Sequence, residues 1–252
     1  MSEHVRIERD GGVLLATLSR VEKKNALTAD MYGALLGALE TASADKDIAV
    51  VLIAGDGGVF TAGNDIGDFV KAAQSPAGFQ ESAGGRFIRA LARFEKPLVV
   101  AVEGNAVGIG TTLCLHADLV YAGPSARFRM PFVDLGLVPE AGASRLVPAR
   151  FGPARAAEYL LLGEAFDAPT AREIGFVNAV VPAEELRAHA LGKAKALAGK
   201  PRAALLATRR LMRGDQESLY VHMEAELEVF AKALRSPEAA AAFMAFLSKA
   251  KG

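Results

Sequence analysis

The sequence predicts an α/β fold with parallel strand pairing in its first half and a mainly helical second half. Three observations carry that expectation. Short apolar runs at 48–54, 98–102 and 119–122 are bounded by glycine or proline, as suits strands buried on both faces. Helical segments lie between them, the alternation that a partly parallel sheet requires. Beyond about residue 150 glycine thins out, alanine rises, and helical spacing runs through 153–162, 169–174, 183–199, 201–213 and 215–248.

Taken in order, the elements justify themselves locally. Residues 4–9 and 13–19 flank Asp10-Gly11-Gly12, a hairpin signal. Thr28 is placed to cap a helix over 28–43, with Met31, Leu35, Leu36 and Leu39 at helical spacing. The run Ile48 to Ala54 ends at Gly55-Asp56-Gly57-Gly58, and a helix is expected over 79–94. Leu98 to Val102 ends at Gly104, the segment 110–116 follows, and a helix is expected over 142–150. Gly78, Gly84 and Gly85 suggest mobility within 67–95. Phe243, Phe246 and Leu247 form an apolar stripe in the last helix. Such a stripe needs a partner surface, either within the chain or on another copy. No internal repeat or low-complexity linker divides the sequence.

Composition narrows the function. The 252 residues carry 29 basic and 29 acidic side chains, and 51% are hydrophobic. That hydrophobic share excludes a disordered chain, and the balanced charge lacks the basic surplus of a nucleic-acid binder. Cys114 stands alone, so no internal disulfide is possible, and no Cys/His cluster offers a metal site. The start, MSEHVRIERD, has no apolar core of a signal peptide. The longest stretch without Asp, Glu, Lys or Arg, 104–117, is too short to span a bilayer. The expectation is a soluble, cytoplasmic protein with no metal, no nucleic-acid partner and no membrane segment.

Two glycine-rich turns stand out, Phe60-Thr61-Ala62-Gly63-Asn64-Asp65-Ile66 and Glu103-Gly104-Asn105-Ala106-Val107-Gly108-Ile109-Gly110. Each leads from a strand toward a helix whose first N–H groups lack internal partners and favour negative charge. Each is also readable as a tight turn and nothing more. The second runs G-x-x-x-G-x-G, which is not the dinucleotide fingerprint, and neither carries the Gly-Lys-Ser/Thr of a P-loop. No G-x-S-x-G hydrolase motif occurs; Ser144 follows Gly142-Ala143 but precedes Arg145. His4, His116, His189 and His222 are scattered and read as surface or packing residues, His116 in a buried helix. A third segment, Pro131 to Gly142, is apolar around Asp134 and Glu140. Either acid is readable as a turn or helix-start residue, or as a functional carboxylate.

Together these segments resemble the crotonase family, also called the enoyl-CoA hydratase/isomerase superfamily. The likeness runs from Lys23-Lys24-Asn25-Ala26-Leu27-Thr28 through FTAGNDI, GNAVGIGTTLCLHADLVYA and LGLVPEAGASRLVPARFG to the tail EAAAAFMAFLSK. It implies an α/β spiral of ββα units over 1–197 and a C-terminal helical region, 198–252, that builds homotrimers or dimers of trimers. It also implies an acyl-CoA thioester substrate, with coenzyme A as part of that substrate and no separate cofactor. Two backbone N–H groups of the family bind the thioester carbonyl, and Asn64 and Ile109 match their positions. The isoleucine side chain is one that narrows the pocket where relatives often have glycine. CoA contacts are implied for Lys24, Ala26, Ala62, Asp65, Ile66 and Gly108, and for Phe246 and Lys249 in the tail. Lys24 is equally readable as a solvated loop lysine.

The acids separate the reactions within the resemblance. Typical hydratases hold water between two glutamates, and the matching positions here are Thr112 and Phe132. Glu140 matches the base of peroxisomal-type Δ3,Δ2-enoyl-CoA isomerases. One base that carries a proton from C2 to C4, with two N–H donors on the dienolate oxygen, is the minimum for that reaction. The apolar neighbours Phe132, Leu135, Leu137 and Val138 are expected to raise the Glu140 pKa. Hydration, thioester hydrolysis, dehalogenation and non-catalytic acyl-CoA binding are the alternatives.

Overall fold

The computed structural model describes residues 2–75 and 78–249. The expected hairpin forms: β1 (Val5–Asp10) pairs antiparallel with β2 (Val13–Leu18), and Gly11 takes φ 59° in the turn. Thr28 caps α1 (Ala29–Ala44), its side chain accepting from the Met31 N–H. Then come β3 (Val50–Gly55), α2 (Ile66–Gln74), a 3-10 turn at Phe79–Glu81 and α3 (Ala83–Arg93). β4 (Leu98–Val102) leads into β5 (Asn105–Val107), α4 (Ile109–Thr112), a 3-10 turn at Leu113–His116 and β6 (Leu119–Ala122). The middle of the chain adds β7 (Arg127–Arg129), α5 (Ala143–Phe151), α6 (Pro153–Leu160), β8 (Ala165–Asp167), α7 (Ala168–Glu173) and β9 (Ala179–Val180). It closes with α8 (Ala183–Ala198), α9 (Arg202–Arg213), α10 (Gln216–Leu234) and α11 (Pro237–Lys249).

Six strands form one sheet in the order β1-β2-β3-β4-β6-β9, parallel everywhere except β1 against β2. Strand periodicity divides its side chains cleanly. Leu14, Ala16, Val51, Ile53, Val100 and Val102 join the main core on one face. Val13, Leu15, Leu52, Ala54, Val99 and Ala101 face the other way, where Leu186, Ala190 and Ala194 of α8 cover them. Both faces are therefore dry, which is why these runs lack a polar alternation. A second sheet, β5-β7-β8, stands apart and carries the second glycine-rich turn.

Several sequence expectations are corrected. The helix read over 215–248 is two helices, because Pro237 has no N–H to continue α10 and disfavours a helical Ser236. Ser236 instead caps α11 by accepting from the Ala239 N–H at 3.1 Å. The helix read over 79–94 is likewise interrupted at Ser82, whose side chain caps α3. Gly84 and Gly85 are close-packing positions and not loose ones. A Cβ on Gly85 would lie 2.5 Å from the Phe79 carbonyl oxygen, and one on Gly84 would be in van der Waals contact with Phe79 and Tyr32. Strand β5 lies within the second glycine-rich turn, and it, β7, β8 and β9 are too short to show a period. Phe243 of the tail stripe packs within the chain, edge-on to Phe69 at 5.8 Å between ring centroids. The side chains of Phe246 and Leu247 lie outside the described residues. Among the described residues no helix is long and apolar enough to cross a membrane.

Candidate active site

The first glycine-rich turn is held between two neighbours. On one side is the loop before α1, where Lys24 and Asn25 adopt left-handed φ angles of 51° and 54°. Asn25 is fully buried, and its amide nitrogen donates to the carbonyls of Asp56 and Val59 at 3.0 and 2.8 Å. The Ala62 N–H donates to the Lys24 carbonyl, and Leu27 takes a bridge position against Asn64. On the other side Thr61 pairs with Ala106, so the turn lies against β5. Gly63, at φ 91°, sits where a Cβ would be 2.9 Å from the Val107 carbonyl oxygen. The two glycine-rich turns thus pack directly on each other.

This arrangement decides which N–H groups are free. The Leu27 N–H donates to the Gly63 carbonyl and the Leu27 carbonyl accepts from Asp65, so Asn64 directs its own N–H away from Leu27. Ile109 is the first residue of α4, where no helical acceptor exists for its N–H. Among the described residues neither N–H meets an acceptor. Gly108, at φ 55°, is pinned by donating to the Arg129 carbonyl at 2.8 Å. The Ile109 side chain is 1% exposed and belongs to the main core.

Glu140 comes from a third segment and is 2% exposed. The Thr112 hydroxyl, one helical turn after Ile109, donates to Glu140 Oε1 at 2.5 Å. That bond ties the carboxylate to α4, the helix that Ile109 opens. Glu140 Oε2 has no partner among the described residues. Burial pushes the Glu140 carboxyl up to about 8, against the Thr112 hydrogen bond, with the charge of Glu226 adding to the rise. The direction is the one expected from the apolar surround; Phe132 and Leu137 are buried, and Leu135 and Val138 pack partly against the core.

The backbone that carries Glu140 is bent sharply. Ala141 has φ 57° and Gly142 φ 73°. His116 Nε2 meets the Ala141 carbonyl at 2.7 Å, and burial lowers its pKa to about 4, so the imidazole is a neutral donor. Glu226 of α10 accepts from the N–H groups of Gly142 and Ser144 at 2.6 and 2.9 Å and from the Ser144 hydroxyl. A left-handed alanine costs on the order of 1 kcal/mol or more, which these fixed partners offset.

The structure therefore packs the turns that carry Asn64 and Ile109 against each other and ties Glu140 to α4 through Thr112. In the sequence Thr112 stands out only for the glutamate it replaces; its bond to Glu140 spans 28 residues, which no local signal shows. Arg20, Asn25, Tyr32 and Glu226 were missed for the same reason. Arg20 joins two of the expected CoA-segment residues, donating to the Ala26 carbonyl at 3.0 Å and to Asp65 at 2.8 Å. Asp65 also accepts from the N–H groups of Gly67 and Asp68, opening α2. Against the upward push of partial burial, these bonds hold its carboxyl below the usual range. Its carboxylate is thus engaged within the chain. Lys24 is exposed. Asp134 donates nothing to this centre; it pairs with Arg129 at 3.0 Å. Phe246 and Lys249 fall within α11, and their side chains lie outside the described residues.

The family model described as enoyl-CoA hydratase/isomerase matches residues 8–252. Enoyl-CoA delta isomerase 2 of Rattus norvegicus is 33% identical over 98% of the chain, which spans 64% of that longer protein. The 2,3-dehydroadipyl-CoA hydratase of Escherichia coli is also 33% identical, over 99% of the chain and 97% of its own length. The solved structure of Pseudomonas aeruginosa OdaA superposes with a TM-score of 0.92 at 44% identity, covering 97% of this chain and 99% of that one.

Proposed function

The chain belongs to the enoyl-CoA hydratase/isomerase family, and from that premise we propose that it shifts the double bond of a 3-enoyl-CoA to the 2-position with Glu140 as its single base. The observation that carries this reading is the buried Glu140 carboxylate with one oxygen held by Thr112 and the other unpartnered. Glu140 Oε2 takes a proton from C2, and the electron pair moves through the thioester to its oxygen. The N–H groups of Asn64 and Ile109 donate to that oxygen, each worth about 3 kcal/mol in such a site. The protonated carboxyl then delivers the proton to C4, and the thioester carbonyl re-forms. No water is consumed, so one carboxylate suffices where Thr112 and Phe132 supply no second. Relatives carry both isomerase and hydratase names, and the acid count favours the isomerase. Turnover of a 3-enoyl-CoA panel beside crotonyl-CoA tests the reading; fast hydration of crotonyl-CoA without isomerisation overturns it.

The CoA moiety is assigned to Lys24, Ala26, Ala62, Asp65, Ile66 and Gly108, with Phe246 and Lys249 from the tail, and no further cofactor is needed. The C-terminal helices are assigned to a homotrimer or dimer of trimers. Leu211 and Met212, 83% and 82% exposed at the end of α9, are the apolar surface such an assembly covers. Sedimentation should give a trimer or a multiple of one, and a monomer at micromolar concentration overturns this.

The pH dependence follows from the base. Glu140 works ionised, so kcat/KM should rise with pH through a midpoint near 8. Thr112→Val removes a hydrogen bond that favours the ionised form, so the midpoint should move upward. A profile flat from pH 6 to roughly 9 for both proteins contradicts the assignment.

A further inference from the structure

We propose that Tyr32 is a positioning residue that holds the oxyanion donor Asn64 in place, an inference that rests on the thioester-binding role given above to the Asn64 N–H. The Tyr32 hydroxyl donates to Asn64 Oδ1 at 2.7 Å. Nothing in the local sequence announces this pair, because Tyr32 lies in the first turn of α1 and Asn64 in the turn before α2.

The tyrosine is itself immobilised. It is 4% exposed, with its ring 5.7 Å from that of Phe87. Helix α3 lies close against it: a Cβ on Gly84 would stand 3.5 Å from the Tyr32 ring, in ordinary van der Waals contact. The Thr28 cap fixes the start of the helix that carries it. The phenol therefore presents its O–H from a rigid wall. Burial, and then the nearby Glu140 charge, push its pKa well above the ordinary value, so it stays a donor throughout the working range.

Asn64 needs such an anchor. The peptide that carries its N–H is held at the Gly63 carbonyl, which accepts from the Leu27 N–H, and the next residue, Asp65, donates to the Leu27 carbonyl. The N–H of that peptide is unpaired among the described residues, so backbone bonding holds the peptide at its carbonyl end alone. Gly63 before it has the freest backbone of any residue type. The side-chain amide is a second handle, and Tyr32 grips it. A donor aimed in advance is what makes an oxyanion site effective.

The test uses three variants: Tyr32→Phe, Asn64→Ala and the double variant. Asn64→Ala keeps the backbone N–H and removes only the handle. Acetoacetyl-CoA, whose enolate absorbs in the near ultraviolet, probes oxyanion binding without requiring isomerase turnover, and free CoA is the control. Each single variant should weaken enolate binding by about tenfold, the effect of one hydrogen bond, and leave CoA binding unchanged. The double variant should be no weaker than either single one, since both remove the same interaction. Additive losses, or a Tyr32→Phe protein that binds enolate as the wild type does, overturn the inference, as does a wild type that binds no enolate. With 3-enoyl-CoA the same variants should lower kcat with KM little changed. A wild type that binds enolate but moves no double bond counts against the isomerase reading alone.

Discussion

Glu140→Gln is expected to lose 3-enoyl-CoA isomerisation by about 10³-fold or more in kcat, at the upper part of the range for removal of a general base. Glutamine can still accept from Thr112 but cannot take a proton. Thioester binding should persist, because the N–H groups of Asn64 and Ile109 are untouched. The same variant should also be more stable than the wild type at high pH. The sign follows from the raised pKa. A carboxyl near 4.5 when unfolded and about 8 when folded binds its proton on folding. That contribution is present in full below about 4.5 and is lost as the pH rises through 8. Above pH 8 the folded wild type carries a buried anion that the amide replaces, a difference on the order of a few kcal/mol. Thermal unfolding at pH 5 and pH 9 measures it. A variant that retains activity, or one less stable than the wild type at pH 9, contradicts the role of this residue.

Gly63→Ala is expected to cost both activity and stability. The residue sits at φ 91°, and its Cβ would lie 2.9 Å from the Val107 carbonyl oxygen, a backbone atom that cannot swing aside. The alanine must drive the two glycine-rich turns apart, and with them the N–H groups of Asn64 and Ile109. Loss of one such donor lowers kcat about 10²- to 10³-fold, so a fall of about 10²-fold is expected. Strain at positive φ adds about 1–2 kcal/mol of destabilisation. Gly58→Ala separates the two causes. Gly58 has φ 69° but nothing within 4 Å of a Cβ, so it should show the stability loss without the activity loss. Equal activity losses in the two variants would count against a shared oxyanion site between the turns.

The parts of this structure legible in the sequence are those set by neighbours along the chain. The three valine-rich strands, the Asp10 to Val13 hairpin and the Thr28 cap depend on periodicity and on one residue's local hydrogen bonding. The break at Pro237 was equally local, and the long apolar pattern on both sides obscured it. Glu140 and the two N–H positions became visible only through the family resemblance, since an acid after a proline and two tight turns have ordinary structural uses. What stayed hidden was held by contacts between distant segments. Tyr32 meets Asn64 across 32 residues, Thr112 meets Glu140 across 28, and Glu226 reaches Ser144 across 82. A buried side chain that orients another has no sequence period of its own.

The sealed oxygen of Glu140 also has a kinetic meaning. A thioester diffusing up to the protein cannot touch an atom that no solvent reaches. Under the proposed reaction the side chains over the carboxylate would have to part before C2 could reach it. Such an opening would set a ceiling on kcat/KM below the rate of collision, whatever the strength of the base beneath it.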